Sequence, residues 1–387
     1  MSSRRKFLFS TFAVAASSGI NSLWAQEADK AVTPLRFLIL GGTGTTGRYY
    51  VRAALDRGHR VAVFSRGRAH ADLPESVESL VGDRNSDLET IKNRDWDAVI
   101  DVATYGPKWV RSLGQALEER VRHYTFISTI SVYDNPAKNA ETNENSPVLT
   151  YHGASDPYLI TREGDDYGAA KVLCEREAEK QFPSRALVLR PGYIGGPDDT
   201  HGILTYWAER AERGGAILAG GDPATPVQYI DVRDLGAWMI RLAEKRVTGT
   251  YNVIGPEIDQ EKMINSARSN AQRTSSVTWA SMEWLGARRD KALWGTLLFW
   301  EINKGSLTRI NNRKALADGL IIRPLGTTLA DTLTWYKQQP GQNELVTGFR
   351  KRDDGPGFVE VHTPWSDYLD HERDAVQARN IAGQRRV

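Results

Sequence analysis

In the stretch DDYGAAKVLCERE, Tyr167 and Lys171 stand four residues apart within a pattern that predicts a helix, so both project from one face. A phenol of pKa about 10 is ionised roughly one time in a thousand at pH 7, a deficit of about 4 kcal/mol for a base. One ammonium about 4 Å away, at an effective dielectric of about 20, supplies roughly that much. The pair therefore has the chemistry of a proton acceptor and donor. Tyrosine and lysine at this spacing also occur on plain solvated helix faces, so the surrounding order of motifs has to decide. Upstream, the apolar run in FISTISVYDN (126–135) closes on Ser128, Thr129, Ser131 and Tyr133, hydroxyls of the kind that donate to a reacting oxygen.

The elements that must position these groups alternate from Leu35 onward. Strands are predicted at 36–40, 60–65, 78–82, 97–103, 123–129 and 185–191, with helices at 47–56, 86–92, 110–120 and 165–181. That rhythm predicts an α/β fold, a Rossmann-type doubly wound parallel sheet. After Gly192 it loosens, with helices at 204–213 and 232–244 and strands at 227–230 and 249–255, which predicts a smaller C-terminal substrate-binding region. The dinucleotide-binding domain is placed at 35–200 with parts of 225–255, the substrate region mainly at 200–338. Trp279, Trp284, Trp294 and Trp300 are read as core or lid packing rather than a binding box. The tail at 339–387 has loop composition, with Pro340, Gly341, Gly355, Pro356 and Gly357.

Directly after the first strand comes LGGTGTTGRYY, in which Gly41, Gly44 and Gly47 form a GxxGxxG spacing ahead of a helix. Glycines there allow a tight turn and bring backbone N–H groups and a helix N-terminus against a pyrophosphate. The second strand ends in VFSRGR, so Ser65, Arg66 and Arg68 stand where an acidic residue would accept from a ribose 2′-hydroxyl. A guanidinium binds a 2′-phosphate bidentately, which favours NADP over NAD. Asp83, after the third strand, is placed to accept from the adenine amino group.

The glycine loop, the hydroxyl-ended strand, Tyr167 with Lys171, RPGYIGGP (190–197) and YIDVRDL (229–235) follow one another in an order that resembles the extended short-chain dehydrogenase/reductases. Among these the NAD-dependent epimerase/dehydratase-like members are most similar, over about Leu35 to Trp335. The resemblance implies Thr129 as the hydroxyl that assists Tyr167, with Ser128 as its fallback, while a hydride moves between substrate carbon and nicotinamide. It also implies cofactor contacts from Gly41, Thr43, Gly44, Thr45, Thr46, Gly47, Ser65, Arg66, Arg68, Asp83, Ala103, Tyr167, Lys171, Pro191, Tyr193 and Ile194. A homodimer through the helix bearing Tyr167 follows only by analogy.

Two departures narrow the chemistry. Dehydratases of the family carry an Asp-Glu pair after the hydroxyl, where this chain has Ile130 and Ser131, so dehydration is disfavoured. Glu144, in ETNENSPV, is the carboxylate candidate for that role, against a plain loop-surface reading. Nucleotide-sugar epimerases place an arginine two residues before the position of Tyr229, and here it is Val227, so a diphosphate needs another partner such as Arg309 or Arg313. A free sugar, glycoside or other hydroxylated small molecule becomes comparably plausible as substrate.

The N-terminus, MSSRRKFLFSTFAVAASSGINSLWAQEA, has a basic head, a short apolar stretch and small residues before a cut after Ala25. It is too short to span a bilayer and reads as a secretory signal, 1–25, of the twin-arginine type that exports folded proteins. The expected partners are that export machinery and a sugar-like small molecule, and the expected location is the periplasm. With 40% hydrophobic and 25% charged residues the chain is globular. Net charge is +2 and three positive charges sit at Arg4, Arg5 and Lys6, so no nucleic-acid surface is implied. The single cysteine, Cys174, leaves neither a disulfide framework nor a thiolate zinc site. A periplasmic enzyme without a dinucleotide pool must retain and recycle its cofactor, which favours epimerisation or coupled oxidation and reduction. The competing readings are a non-catalytic dinucleotide- or RNA-binding module and a scaffold held by bound nucleotide.

Overall fold

The computed structural model describes residues 33–67, 73–102, 106–134, 141–153, 156, 158, 167–199, 202–288, 309–339, 345–351 and 358–384. The expected signal segment, 1–25, therefore lies outside the described residues. The strands of the main sheet are β1 (Arg36–Leu40), β2 (Arg60–Ser65), β3 (Glu78–Val81), β4 (Ala98–Asp101), β5 (Tyr124–Ile127), β6 (Ala186–Pro191) and β11 (Gly249–Val253). They pair in the order β11-β6-β5-β4-β1-β2-β3, every pair parallel. The order reverses at β1 and β4, and ligands of such sheets bind at the strand C-termini beside that reversal.

Helices cover both faces, so the central strands are apolar on both sides rather than alternating with polar residues. Phe37 and Ile39 of β1 face α1 (Gly47–Asp56) and α5 (Val232–Glu244), packing with Tyr50, Val51, Leu235 and Trp238. Leu38 and Leu40 face the other way, toward α2 (Pro107–Leu117) and α3 (Tyr167–Gln181), with Val110, Leu113, Cys174 and Phe182. The expected helix at 86–92 is absent. Instead Asp83 and Asp87 accept from the backbone N–H groups of Asn85 and Glu89, local bonds that compete with helical ones.

The second region builds a core of its own. α4 (Ile203–Arg213), α6 (Gln260–Asn270) and α9 (Leu325–Lys337) pack together beside the parallel pair β8 (Gly215–Gly220) and β13 (Ser275–Ala280). The predicted strand at 227–230 divides into β9 (Pro226–Val227), which pairs with β12 (Ile258–Asp259), and β10 (Tyr229–Asp231), which pairs with β7 (Tyr193–Gly195). Between α6 and α9 lie α7 (Met282–Arg288) and the short α8 (Arg313–Ala317). Trp279 and Trp284 pack against this core, in keeping with the packing interpretation, while Trp294 and Trp300 lie outside the described residues.

The C-terminal stretch is not loop. It forms a hairpin, β14 (Leu345–Lys351) with β15 (Phe358–Pro364), and a 20-residue helix, α10 (Trp365–Gln384). Pro340, Gly341, Gly355, Pro356 and Gly357 lie outside the described residues. Trp365, Tyr368, Ala375 and Val376 complete the second core. Glu372, 1% exposed, receives the Arg210 guanidinium at 2.6 Å and the Leu218 N–H at 2.9 Å. A buried ion pair that loses one partner costs several kcal/mol, roughly 3–5, so truncation before α10 unfolds this region rather than trimming it.

Candidate active site

The glycine turn is shaped by close backbone approach. Gly41 takes φ +86°, and its carbonyl accepts from the Gly44 N–H at 3.0 Å. A Cβ on Gly47 would lie 2.1 Å from that same carbonyl oxygen, so the start of α1 rests directly on the end of β1. Thr46 caps α1 without a side-chain hydrogen bond, and no acidic residue occupies the first turn. Uncapped N–H groups and the helix dipole then favour an anion, and the cradle at Gly41 and Gly47 fits a pyrophosphate. Thr43 and Thr46 are half-buried beside it, and Gly44 and Thr45 are exposed.

Toward β2, the Ser65 hydroxyl accepts from the Gly67 N–H at 3.2 Å and Arg66 is exposed. Arg68 and Ala103 lie outside the described residues. Asp83 accepts both the N–H and the side-chain amide of Asn85 at 2.9 Å, so one of its oxygens serves its own turn. The next residue, Arg84, reaches inward to make two 2.8 Å bonds with Asp101, fully buried at the end of β4, which also accepts from the Tyr124 hydroxyl at 2.9 Å. Nothing in the local pattern at Arg84 announced this pairing, because the two residues meet only across the sheet.

The catalytic candidates converge at the end of β5. Thr129 opens a short 3-10 turn, Ile130–Val132; its Oγ1 accepts from the Ser131 N–H at 3.1 Å and donates to the Ser131 hydroxyl at 3.2 Å. Lys171 is buried, donates to the Ile127 carbonyl at 2.6 Å and lies 4.4 Å over the Phe126 ring. Tyr167, half-buried, begins α3. Gly168 explains how that helix comes so close: a Cβ there would sit 2.1 Å from the Ser131 carbonyl oxygen. The helix N-terminus thus lands on the turn after Thr129, and a glycine directly after the tyrosine was the signal that sequence reasoning passed over.

Ser128, the fallback hydroxyl, is committed elsewhere. It donates to Glu175 at 2.5 Å, and Glu175 holds Arg190 through bonds of 2.9 and 2.6 Å. Arg190 donates to the Tyr133 hydroxyl at 3.0 Å, which in turn donates to Asn252 at 2.6 Å. Glu144 accepts from the Asn252 N–H at 2.9 Å. These groups lock the ends of β5, β6 and β11 together; Tyr133 and Glu144 act as structure here.

Other predicted contacts are placed as follows. Pro191 ends β6, buried; Ile194 is half-buried in β7. The Tyr193 hydroxyl donates to Asp199 and accepts from the Ile203 N–H at 3.1 Å, and Asp199 accepts from Leu204 N–H at 2.8 Å, so this tyrosine organises the start of α4. Val227 is fully buried. Next to it Gln228 donates to the carbonyls of Gly255 and Ile310, and Arg309 and Arg313 line a cavity of about 440 Å³ with Gln228, Glu141 and Glu257. Arg313 bonds Glu141 at 3.2 Å.

Burial sets the protonation of the central groups. It lowers the Lys171 ammonium to about 8 and raises the Cys174 thiol to about 12, which leaves that thiol inert. A lysine whose charge is lost above pH 8 no longer supports an ionised phenol. The rate constant kcat/KM is therefore expected to fall on the alkaline side with an apparent pKa near 8. Folding carries the opposite sign: the depressed pKa is a cost fully present below 8 and relieved as pH rises toward 10.5. Lys171→Met is accordingly expected to abolish turnover without lowering the melting temperature at pH 7, checked by thermal denaturation alongside initial rates.

Among the described residues no group of three or more His, Cys, Asp or Glu could hold a metal ion, and no helix is long and apolar enough to cross a membrane. A parallel sheet doubly wound by helices, with a glycine turn at its reversal point, defines a Rossmann-type dinucleotide-binding fold. The chain belongs to the NAD dependent epimerase/dehydratase family, whose model matches residues 37–254. Solved structures with this fold include UDP-N-acetylglucosamine 4-epimerase from Bacillus cereus, 18% identical with a TM-score of 0.57 over 79% of this chain and 97% of that one. Another is dTDP-glucose 4,6-dehydratase from Bacillus anthracis in complex with NAD, 15% identical with a TM-score of 0.58 over 80% and 98%. By sequence the chain is 27% identical to an uncharacterized chloroplastic protein of Arabidopsis thaliana over 49% of this chain. It is 42% identical to the photosystem II assembly factor Ycf39 of Synechocystis over 18% of this chain. It spans 61% and 22% of the length of those two relatives.

Proposed function

We propose that the protein is an NAD(P)-dependent oxidoreductase or epimerase acting on a secondary hydroxyl of a carbohydrate-like small molecule. The observation that carries this reading is the convergence of Thr129, the start of α3 at Tyr167 and the buried Lys171 on the end of β5, at the same sheet edge as the glycine turn. Gly41, Gly44, Gly47 and the N-terminus of α1 hold the pyrophosphate of a nicotinamide dinucleotide, which supplies hydride transfer when bound. Tyr167 takes the proton from the substrate hydroxyl, or returns it to the oxygen. Thr129 donates a hydrogen bond to that oxygen as charge develops, and Lys171 keeps the phenol acidic enough to exchange its proton near neutral pH.

Arg66 and Arg68 support NADP as the dinucleotide, since neither leaves an acidic acceptor for a free 2′-hydroxyl. Arg66→Ala is expected to weaken NADP binding at least tenfold and leave NAD within about twofold, measured by fluorescence titration with each reduced dinucleotide. Equal losses for both would reject the 2′-phosphate contact. Ile130 and Ser131, with no carboxylate at that turn, support epimerisation or oxidoreduction over loss of water. Export by the twin-arginine route belongs to the same proposal: the enzyme folds with its dinucleotide in the cytoplasm and works in the periplasm on a redox-neutral cycle. Mass spectrometry of the small molecule released on denaturing periplasmic protein tests it. NADP is the expected species; protein that arrives empty and takes up neither NADP nor NAD in vitro overturns the reading.

A further inference from the structure

The turn that follows β7 reaches back across the sheet. It leaves β6, three positions from β1 in the order β6-β5-β4-β1, yet Asp198 forms an ion pair with Arg48, the second residue of α1. Both anchors lie at the C-terminal edge of the sheet, Arg48 directly after Gly47 of the glycine turn and Asp198 in the turn that β6 and β7 lead into. Two features mark the pair as built. Arg48 puts a cation into the first turn of α1, the end where the helix dipole disfavours positive charge, and the Asp198 carboxylate offsets that placement. Asp198 sits at φ +64°, a left-handed conformation uncommon for a residue with a side chain.

The turn is fixed on both sides of Asp198. Gly196 is pressed against Asp231, whose carboxylate oxygen would lie 3.1 Å from a Cβ at that position. Asp199 is tied to the Tyr193 hydroxyl and to the Leu204 N–H. Asp198 turns toward α1, and its side chain is mostly shielded, 11% exposed, against 44% for the arginine.

We propose that Arg48 and Asp198 form a strap over the pyrophosphate position that slows release of the dinucleotide, an inference that rests on the cofactor reading above. An enzyme that must carry its cofactor through export and keep it where no pool replaces it needs slow release more than tight equilibrium binding. A single ion pair across the mouth of the cleft provides this, because the pair must open before the dinucleotide leaves. Arg48 in this role is a positioning residue.

The test is the release rate of NADPH from purified, reloaded full-length protein, followed by loss of its fluorescence after mixing with excess unlabelled NADP. Asp198→Asn is expected to speed release about tenfold or more, and the exchanged pair Arg48→Asp with Asp198→Arg to restore slow release. In the wild-type protein release is expected to quicken with salt, and in Asp198→Asn to lose that dependence. Release unchanged or slower in Asp198→Asn, as when the carboxylate merely repels the phosphates, overturns the strap. Wild-type protein that binds neither NADPH nor NADH would instead reject the cofactor reading itself, so the two failures are distinct.

Discussion

Replacing Tyr167 with phenylalanine is expected to lower turnover by about a thousandfold while the affinity for the dinucleotide stays within roughly twofold. The change removes one oxygen from a half-buried position at the start of α3 and leaves the ring. The neighbouring hydroxyls do not replace it: Ser128 is tied to Glu175, and Thr129, held at its turn by Ser131, is an alcohol of far weaker acidity than a phenol. Neither offers a proton of suitable acidity next to a buried ammonium, so no second route is at hand. Steady-state rates with a panel of sugars, set beside a fluorescence titration of the dinucleotide, measure the two effects separately. A variant retaining more than a tenth of the turnover would remove Tyr167 from the mechanism.

The second large effect is expected at Gly47. An added methyl group would stand 2.1 Å from the Gly41 carbonyl oxygen and 2.8 Å from the Gly42 Cα, all backbone atoms with no flexible end to swing aside. Either α1 moves off β1 or the turn opens. Both displace the N–H groups that would face the pyrophosphate. Gly47→Ala is therefore expected to weaken dinucleotide binding a hundredfold or more, and to cost about 1–3 kcal/mol of stability as an overpacked contact does. Denaturant unfolding and dinucleotide titration check the two parts. Binding within threefold of wild type would show that the loop does not hold the phosphates.

Much of the architecture was legible because it is periodic. Runs with continuous apolar centres such as RFLIL (36–40) and RVAVFS (60–65) coincide with β1 and β2 as predicted, since both sheet faces are buried and side-chain alternation is suppressed. The glycine spacing and the four-residue step from Tyr167 to Lys171 are local, and local patterns survive in a linear reading. The turn at 83–92 resisted it, because Asp83 and Asp87 diverted the backbone into side-chain bonds where helix periodicity alone predicted a helix. The C-terminal region resisted for another reason. Its helix earns its order from a distant partner, through Tyr206 with Tyr368 at 2.5 Å and Arg210 with Glu372.

From residue order alone came the class of fold, the glycine turn proposed to hold a pyrophosphate and the tyrosine–lysine pair proposed to move a proton, the last two being properties of segments a few residues long. Tertiary structure decided which hydroxyl is engaged elsewhere, since Ser128 is tied to Glu175 across 47 positions and Thr129 is not. It decided, too, that α3 settles on the turn after Thr129 by way of Gly168, that Arg84 reaches Asp101, and that Asp198 returns to α1. The physical reason is the same throughout. A hydrogen bond or ion pair between residues far apart in the chain depends on where the packed sheet brings their backbones, and no local spacing encodes that.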